Sequence, residues 1–249
     1  MEKIYDIKEY LKMYKAVIFD MDGTILDTIE DLKDAINYVF KEFNHKCDFN
    51  RLDAKMMFGS GAHVAISRAM AMEQGFGYQD ILKIGTDEVL VGYKEDTAEI
   101  ERLKAVYKPY YKSHCDIKTG PYEGIEDLIS KLRENNIATA VVSNKPDEAV
   151  QALCKRYFKG LFDFALGQRD EIRRKPEKDM VDITLKKLGI TKDEAIYVGD
   201  SDVDLYTAKN SGLDCISVDW GFRTKEYLLN SGADNVVSSC DEIFNIVVR

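Results

Sequence analysis

The stretch AVIFDMDGT at residues 16–24 decides how the rest of the chain is interpreted. Its first four residues form a continuous apolar run, which is typical of a strand buried on both faces of a parallel sheet. The run ends at Asp20, and Asp22 followed by Gly23 indicates a tight turn directly after the strand. Because open parallel sheets bind ligands at the carboxyl ends of their strands, we expect these two carboxylates to lie in a site.

The pattern becomes helical between Thr28 and about Lys112. Apolar residues recur there at helical spacing, first at Leu32, Ile36, Val39, Phe40 and Phe43 and later at Val89, Tyr93, Ile100, Leu103 and Tyr107. No run in this segment predicts a strand, and the glycines within residues 59–61 indicate a loop between two helices. The segment is therefore interpreted as an all-helical insertion.

From residue 113 onward, strand and helix patterns alternate. Strands are predicted at residues 137–142, 162–166, 195–198, 215–218 and 236–237, with helices between them. This alternation predicts an α/β fold with a Rossmann-like parallel sheet. The core domain would comprise residues 1–27 and 113–249, and an α-helical cap domain, residues 28–112, would be inserted after the first strand. Residues 1–14 predict a short helical or irregular extension ahead of the sheet.

Composition and charge narrow the function classes. The chain has 249 residues, of which 45% are hydrophobic and 32% are charged, and these values are near the globular average. A net charge of −9 argues against nucleic acid as the main partner. No apolar stretch approaches the ~20 residues that span a bilayer, so no membrane partner is expected. The N-terminus lacks the apolar region of a signal peptide, which favours a cytoplasmic location.

The cysteine and heptad patterns add two further expectations. Five cysteines are scattered along the chain without a CxxC pair. This pattern favours reduced structural thiols over a zinc site or a disulfide framework. No coiled-coil heptad is sustained, so a monomer is expected.

Polar residues follow several of the predicted strands. Ser143 and Asn144 come after the second strand, Lys175 lies in a later loop, and Asp200 and Asp204 follow the fourth strand. Together with the two carboxylates after the first strand, they suit phosphoryl transfer, which needs positive charge around the phosphoryl oxygens. Carboxylates are ligands that Mg²⁺ prefers. One carboxylate can also act as a nucleophile while another transfers a proton.

Four segments, in this order, resemble the four motifs of the haloacid dehalogenase superfamily. Residues 20–27, DMDGTILD, resemble motif I, Ser143 after an apolar strand resembles motif II, Lys175 resembles motif III, and Gly199-Asp200 with Asp204 resembles motif IV. The helical insertion is similar to the cap of that superfamily's first cap class. Within the superfamily, the chain is most similar to the phosphoglycolate phosphatase group, through TGPYEG (119–124), VVSNK (141–145), WGFR (220–223) and FGSG (58–61).

The resemblance implies a role for each matched residue. Asp20 would be the nucleophile and a Mg²⁺ ligand, and Asp22 would be the general acid and base, with its backbone carbonyl on the metal. Ser143 and Asn144, the latter through its backbone N–H, would bind phosphoryl oxygens, while Lys175 would neutralise the phosphoryl group and Asp20. Asp200 would be a further Mg²⁺ ligand, supported by Asp204, and Thr24 would orient motif I.

These roles imply a Mg²⁺-dependent phosphatase that hydrolyses a small phosphorylated metabolite through an aspartyl-phosphate, with phosphoglycolate as the first candidate. A phosphomutase of the β-phosphoglucomutase type shares the cap and the motifs, and hydrolysis of inorganic pyrophosphate is also open. The segment 220–223 favours a phosphatase over a mutase. A non-catalytic binding module is disfavoured, because all the matched chemical groups are intact.

Five other residues carry weaker indications. Arg68 is expected in a surface ion pair rather than at a substrate carboxylate. His63 lies beside a cap loop where substrate selection is expected, but a single histidine is interpreted as structural or exposed. Asp202 is expected to face solvent or to stand at a helix N-terminus. For Trp220 and Phe222 the sequence leaves two roles open, which are lining the site and packing in the core.

Overall fold

The computed structural model describes residues 13–248. Its strands are β1 (Ala16–Phe19), β2 (Leu26–Asp27), β3 (Gly120–Pro121), β4 (Ala138–Pro146), β5 (Phe164–Gln168), β6 (Ala195–Gly199), β7 (Asp214–Val218) and β8 (Val236–Val237). Six of them form one parallel sheet in the order β5-β4-β1-β6-β7-β8. The predicted α/β fold is confirmed. Most of the predicted N-terminal extension, residues 1–12, lies outside the described residues.

The helices surround this sheet and fill the long connection between β2 and β3. They are α1 (Ile29–Glu42), α2 (Arg51–Met57), α3 (Ala62–Glu73), α4 (Tyr78–Ile81), α5 (Thr97–His114), α6 (Ile125–Glu134), α7 (Asp147–Leu153), α8 (Asp179–Leu188), α9 (Asp202–Ser211), α10 (Lys225–Asn230) and α11 (Cys240–Val247). Helices α8 and α9 end at Gly189 and Gly212, which adopt the left-handed conformation that ends a helix.

Strand β1 lies in the middle of the sheet. Phe19 pairs with Val141 of β4 on one side and with Val198 of β6 on the other. The chain therefore extends the sheet first to one side of β1 and then to the other, and open sheets bind ligands at such a switch point. Asp20, the residue after β1, stands at this point.

Helices cover both faces of the sheet. Successive residues of β1 point to opposite faces, so they pack in two different hydrophobic clusters. Val17 and Phe19 belong to a hydrophobic cluster with residues of α6, α7 and α11. Ala16 and Ile18 belong to a different cluster, with residues of α8 and α9. The continuous apolar run at residues 16–19 is thus a strand buried on both faces, as predicted.

Helices α1 to α5 form the segment between β2 and β3, and this segment contains no strand, as predicted. Helices α1, α2, α3 and α5 share a hydrophobic cluster, which includes Ile36, Phe40 and Leu103, and Ile81 of α4 packs in a smaller one. The helical interpretation of the later pattern is wrong before α5, because Val89 is 81% exposed and lies outside any helix. Gly85 and Gly92, both at positive φ, interrupt the chain there. Helix α5 runs past residue 112, and the division into two domains stays a prediction.

The two connections to this helical segment lie side by side. Strands β2 and β3 pair as an antiparallel ribbon, which the sequence analysis missed because each strand has only two residues. Asp31 of α1 ties the ribbon to the helices. Its carboxylate accepts hydrogen bonds from the backbone N–H groups of Lys118 at 3.0 Å and of Thr119 at 3.0 Å. The start of α1 and the end of the segment are thereby fixed together.

Three expectations concern the chain as a whole, namely its location, its cysteines and its assembly. Between residues 13 and 248, no helix has both the length and the apolar character needed to cross a bilayer. All five cysteines are free thiols. The cytoplasmic location and the monomeric state stay predictions.

Candidate active site

Asp20 occupies the first position after β1, where its backbone N–H donates to the carbonyl of Val198 at 2.9 Å. Its carboxylate is buried, with Oδ1 2.7 Å from Nζ of Lys175. Burial raises the pKa of Asp20 to about 7, and Lys175 opposes that shift while Asp204 adds to it. The carboxylate therefore depends on nearby positive charge to stay ionised at neutral pH.

Lys175 supplies such a charge from a buried side chain. Its Nζ also lies 2.7 Å from Oδ1 of Asp204 and donates to the hydroxyl of Tyr197 at 3.1 Å. Burial lowers the pKa of Lys175, but the carboxylates of Asp20 and Asp204 outweigh that effect and hold its pKa well above the ordinary value. The ammonium is therefore charged at every pH where the protein would work.

The residues at the end of β4 lie beside Lys175. Nδ2 of Asn144 donates to the Lys175 carbonyl at 3.1 Å, and its Oδ1 accepts from the Lys175 N–H at 2.9 Å. The amide therefore fixes the lysine loop, and the phosphoryl contact expected of the Asn144 backbone N–H stays a prediction. Ser143 is 2% exposed, and its Oγ accepts from the N–H of Lys145 at 3.3 Å. Its hydroxyl proton is left for an oxygen of a bound phosphate.

Asp200 extends from the end of β6 and is almost fully buried. Its Oδ1 accepts from the hydroxyl of Thr24 at 2.9 Å, and its Oδ2 accepts from the N–H of Phe222 at 2.7 Å. Burial raises the pKa of Asp200 well above its usual range, and the charges of Asp204 and Asp20 raise it further. Thr24 was expected to orient its own loop, and the structure shows that its hydroxyl holds Asp200.

Asp204 organises the turn that follows β6. Its Oδ2 accepts from the Ser201 hydroxyl at 2.7 Å and from the N–H groups of Ser201 and Asp200 at 3.1 and 3.2 Å. Its Oδ1 accepts from Lys175 at 2.7 Å. Asp204 thus joins the turn to Lys175, and its supporting role at the metal stays a prediction.

Three carboxylates of the site lie close enough together to hold a cation. Asp20, Asp200 and Asp204 each offer an oxygen, and these oxygens lie within 4.8 Å of one another. Each oxygen of Asp204 accepts at least two hydrogen bonds, whereas each oxygen of Asp200 accepts one. Oδ1 of Asp20 is buried, and its partner is Nζ of Lys175 at 2.7 Å. The donor set therefore fits Mg²⁺, with Asp20 and Asp200 as the better ligands. The metal contact of the Asp22 carbonyl stays a prediction.

Two glycines allow the backbone to approach the carboxylate of Asp200. A Cβ added at Gly23 would lie 2.4 Å from Oδ2 of Asp200, and a Cβ at Gly221 would lie 2.3 Å from the same oxygen. Gly23 also has a positive φ of 86°. Any larger residue at these positions would displace Asp200.

Gly221→Ala is expected to disturb the metal site through this clash. Overpacking of a buried site costs about 1–3 kcal/mol, and here the displaced group is a proposed ligand. We expect Mg²⁺ to raise the Tm of the wild type and to have little effect on the variant, as measured by differential scanning fluorimetry. Gly77→Ala is the control, because a Cβ at Gly77 meets nothing within 4 Å. An unchanged Mg²⁺ response in Gly221→Ala would contradict the assignment of Asp200.

Asp22 contacts a buried lysine that the sequence analysis missed. Nζ of Lys145 lies 2.9 and 3.0 Å from the two carboxylate oxygens of Asp22 and 2.7 Å from the hydroxyl of Tyr111 in α5. A lysine two residues after Ser143, next to a buried strand, was the available signal, because a buried charge needs a partner.

The expectation that Arg68 forms a surface ion pair is wrong. Arg68 is 0% exposed, and its guanidinium donates to the carbonyls of Ile84 at 2.9 Å and of Met57 at 3.2 Å. Met57 ends α2, where backbone carbonyls lack helical partners, and the five donors of an arginine can satisfy several of them. Arg68 therefore joins α3 to α2 and to the loop after α4.

Asp202 stands at the N-terminus of α9, as expected, but it is buried rather than facing solvent. Its Oδ1 accepts from Nε of Arg223 at 3.2 Å. The same guanidinium donates to the carbonyls of Lys55 at 2.7 Å and of Phe58 at 3.0 Å in the helical segment. Arg223 thus links the helical segment to the N-terminus of α9.

The remaining candidates occupy separate places. Phe222 packs in the hydrophobic cluster of the helical segment. Trp220 is half-buried, and its Nε1 donates to the Thr24 carbonyl at 3.1 Å. His63 contacts Glu101 at 3.2 Å and Glu95 at 3.3 Å on the outer part of the helical segment. The structure therefore does not bring His63 to the carboxylates.

Comparison with known proteins agrees with this geometry. A family described as haloacid dehalogenase-like hydrolases matches residues 17–218. Phosphoglycolate phosphatase of Rhodospirillum rubrum is 31% identical over 89% of this chain and 86% of its own length. N-acetylmuramic acid 6-phosphate phosphatase of Pseudomonas aeruginosa is 24% identical over 94% of this chain and 95% of its own length. A crystal structure from Lactobacillus delbrueckii subsp. bulgaricus, provisionally assigned as a phosphoglycolate phosphatase, is 46% identical with a TM-score of 0.91, covering 95% of this chain and 99% of that chain.

Proposed function

The chain belongs to the haloacid dehalogenase-like hydrolases and is a phosphoric monoester hydrolase, and we propose that it is Mg²⁺-dependent and forms an aspartyl-phosphate on Asp20. The observation that carries the proposal is the placement of Asp20, Lys175 and Asp200. They come from three parts of the sequence and meet at the switch point of the sheet, with Nζ of Lys175 2.7 Å from Asp20. This placement supports the proposed roles of a nucleophile, a fixed positive charge and a metal ligand in one site.

In the first step, a carboxylate oxygen of Asp20 attacks phosphorus, and the bond between phosphorus and the ester oxygen breaks. Asp22, in its protonated form, gives its proton to that oxygen, so the product leaves as an alcohol. Lys175 stabilises the negative charge of the transferring group, and Ser143 donates a hydrogen bond to one of its oxygens. The phosphoryl group is then bound to Asp20.

In the second step, water attacks the phosphorus of the aspartyl-phosphate. Asp22, now a carboxylate, takes a proton from that water, and the bond between phosphorus and the Asp20 oxygen breaks. Orthophosphate leaves, and the carboxylate of Asp20 is restored. Mg²⁺ held by Asp20 and Asp200 supplies positive charge to the phosphoryl oxygens when it is bound.

The substrate is proposed to be a small phosphomonoester, with phosphoglycolate first. The 31% identity with the phosphatase from R. rubrum supports this choice. The similarity to a phosphatase of N-acetylmuramic acid 6-phosphate supports testing a sugar phosphate as well. Both relatives favour hydrolysis of a monoester over the phosphomutase and pyrophosphatase alternatives. No nucleic-acid or membrane partner is proposed.

We expect phosphate release from a panel of compounds to depend on Mg²⁺. The panel comprises phosphoglycolate, N-acetylmuramic acid 6-phosphate, β-glucose 1-phosphate and pyrophosphate, each with Mg²⁺ or with EDTA. Phosphoglycolate is expected to have a kcat/KM at least about tenfold above the others, because a shaped site discriminates by about that factor for each mismatched group. Full activity in EDTA would contradict the metal requirement. Isomerised glucose phosphate without phosphate release would favour the mutase, and a preference for pyrophosphate would favour the pyrophosphatase.

A further inference from the structure

Lys145 is a second buried lysine at the edge of the site, and the reaction described above does not use it. Its side chain is 2% exposed, while that of Asp22 is 19% exposed. Nζ of Lys145 reaches both oxygens of Asp22, at 2.9 and 3.0 Å, and donates to the Tyr111 hydroxyl at 2.7 Å. All of its hydrogen-bonding capacity is thus directed at one carboxylate and one hydroxyl.

The two buried lysines of the site divide the carboxylates between them. Lys175 pairs with Asp20 and Asp204, whereas Lys145 pairs with Asp22. Lys145 therefore lies on the side of the proton-transferring group and away from the nucleophile.

Tyr111 belongs to α5 of the helical segment, whereas Lys145 belongs to β4 of the sheet and Asp22 lies in the turn after β1. Tyr111 is buried, and its ring stacks on Tyr107 one turn earlier, at a centroid distance of 5.6 Å. Burial raises the pKa of the Tyr111 hydroxyl well above its usual value, so it stays neutral and accepts from the lysine. Lys145 is thus held by Asp22 beside the sheet and by Tyr111 of the helical segment.

We propose that Lys145 is a positioning residue for Asp22 and that Tyr111 holds Lys145 in place when the helical segment lies over the sheet. The inference rests on the proposed function, in which Asp22 transfers the proton. A lysine bonded to both oxygens fixes the rotation of the carboxylate. Because proton transfer needs hydrogen-bond reach to the leaving oxygen, a freely rotating Asp22 protonates that oxygen less often.

The test compares leaving groups that differ in their need for a proton. Phenolate leaves poorly unless it is protonated, whereas 4-nitrophenolate leaves readily without a proton near neutral pH. We expect Lys145→Met to lower kcat/KM by about 10²-fold for phosphoglycolate and phenyl phosphate, and by less than about fivefold for 4-nitrophenyl phosphate. Tyr111→Phe keeps the stacked ring and is expected to cause the same pattern at about 3–10-fold. kcat/KM is the chosen quantity because it includes departure of the leaving group.

Lys112→Met is the matched control. Lys112 follows Tyr111 in α5 and pairs with Glu148 of α7 at 2.6 Å, but both side chains are exposed, and the carboxylate of Asp22 pairs with Lys145 instead. We expect it to change kcat/KM by less than about twofold for all three substrates. Melting curves identify a variant that fails to fold, and Tyr111→Phe then decides alone.

Equal losses for phenyl phosphate and 4-nitrophenyl phosphate would overturn the inference, because a merely structural role does not depend on the leaving group. Unchanged kinetics in Lys145→Met would overturn it as well. A wild-type protein that releases phosphate from none of the three substrates contradicts the proposed function instead, so the two failures are distinguishable.

Discussion

Asp20→Asn is expected to lower Mg²⁺-dependent phosphate release by roughly 10⁴-fold or more, as removal of a catalytic nucleophile does. The amide has the shape of the carboxylate but cannot form the acyl-phosphate bond, and it is a weaker ligand for a hard cation. Phosphate release under saturating substrate measures the loss. Mass spectrometry of the acid-quenched reaction is expected to detect a phosphorylated protein in the wild type and none in the variant.

The control is Asp193→Asn, at an exposed aspartate in the turn before β6. It should retain full activity. If Asp20→Asn retained more than a few per cent of wild-type activity, Asp20 would not be the nucleophile, whatever the effect of Mg²⁺.

The stability of Asp20→Asn is expected to change in a direction that its loss of activity does not determine. Burial raises the pKa of Asp20 to about 7 in the folded protein, against an ordinary value of 3.8. The folded state therefore binds this proton more tightly than the unfolded state, and its contribution to stability is lost as the pH rises through about 7. In EDTA at pH 8, Asp20→Asn should exceed the wild type in free energy of unfolding by roughly 2–4 kcal/mol. Urea unfolding at pH 5 and pH 8 measures this difference, which should fall by about half at pH 5 and should vanish only below the ordinary carboxyl pKa of 3.8, where the unfolded chain is protonated as well.

Much of the fold and the site follows from the sequence, because both depend on where strands end. The apolar run before Asp20 predicts a central parallel strand, and the strands before Ser143 and Asp200 are its neighbours β4 and β6. Adjacent parallel strands bring their carboxyl ends to the same edge, so these three residues lie at one edge of the sheet. Lys175 could be placed only by its resemblance to a motif, because it lies in a loop without a periodic pattern.

The residues that the sequence left unpredicted are those whose partners are backbone groups or distant side chains. Arg68 is surrounded by carbonyls from α2 and the loop after α4, and no spacing encodes that arrangement. Lys145 meets Asp22 across 123 residues of sequence. Val89 fits a helical period, but positive-φ glycines on either side of it prevent the helix from forming. Periodicity reports which face of an element is apolar, and it carries no information about such polar partners.

Lys175→Met is expected to lower both activity and stability, because one ammonium balances two buried carboxylates. Its Nζ lies 2.7 Å from Asp20 and 2.7 Å from Asp204. Removing one partner of a buried ion pair costs about 3–5 kcal/mol, and loss of a preorganised charge at the phosphoryl group lowers kcat by about 10²–10³-fold. Urea unfolding and steady-state kinetics measure the two effects. Lys178→Met is the matched control, because Lys178 is exposed and pairs only with exposed groups such as Asp182.

The activity of Lys175→Met should also depend on pH in a defined direction. Lys175 lowers the pKa of Asp20 in the wild type, so its removal raises that pKa further. The nucleophile must be ionised, and a larger fraction of it is then protonated near neutral pH. The ratio of wild-type to variant kcat/KM is therefore expected to fall as the pH rises from about 6 to about 9, since alkaline pH restores the carboxylate in the variant. Parallel pH profiles would show that Lys175 does not control the ionisation of Asp20, and its contribution would then be confined to the charge of the phosphoryl group.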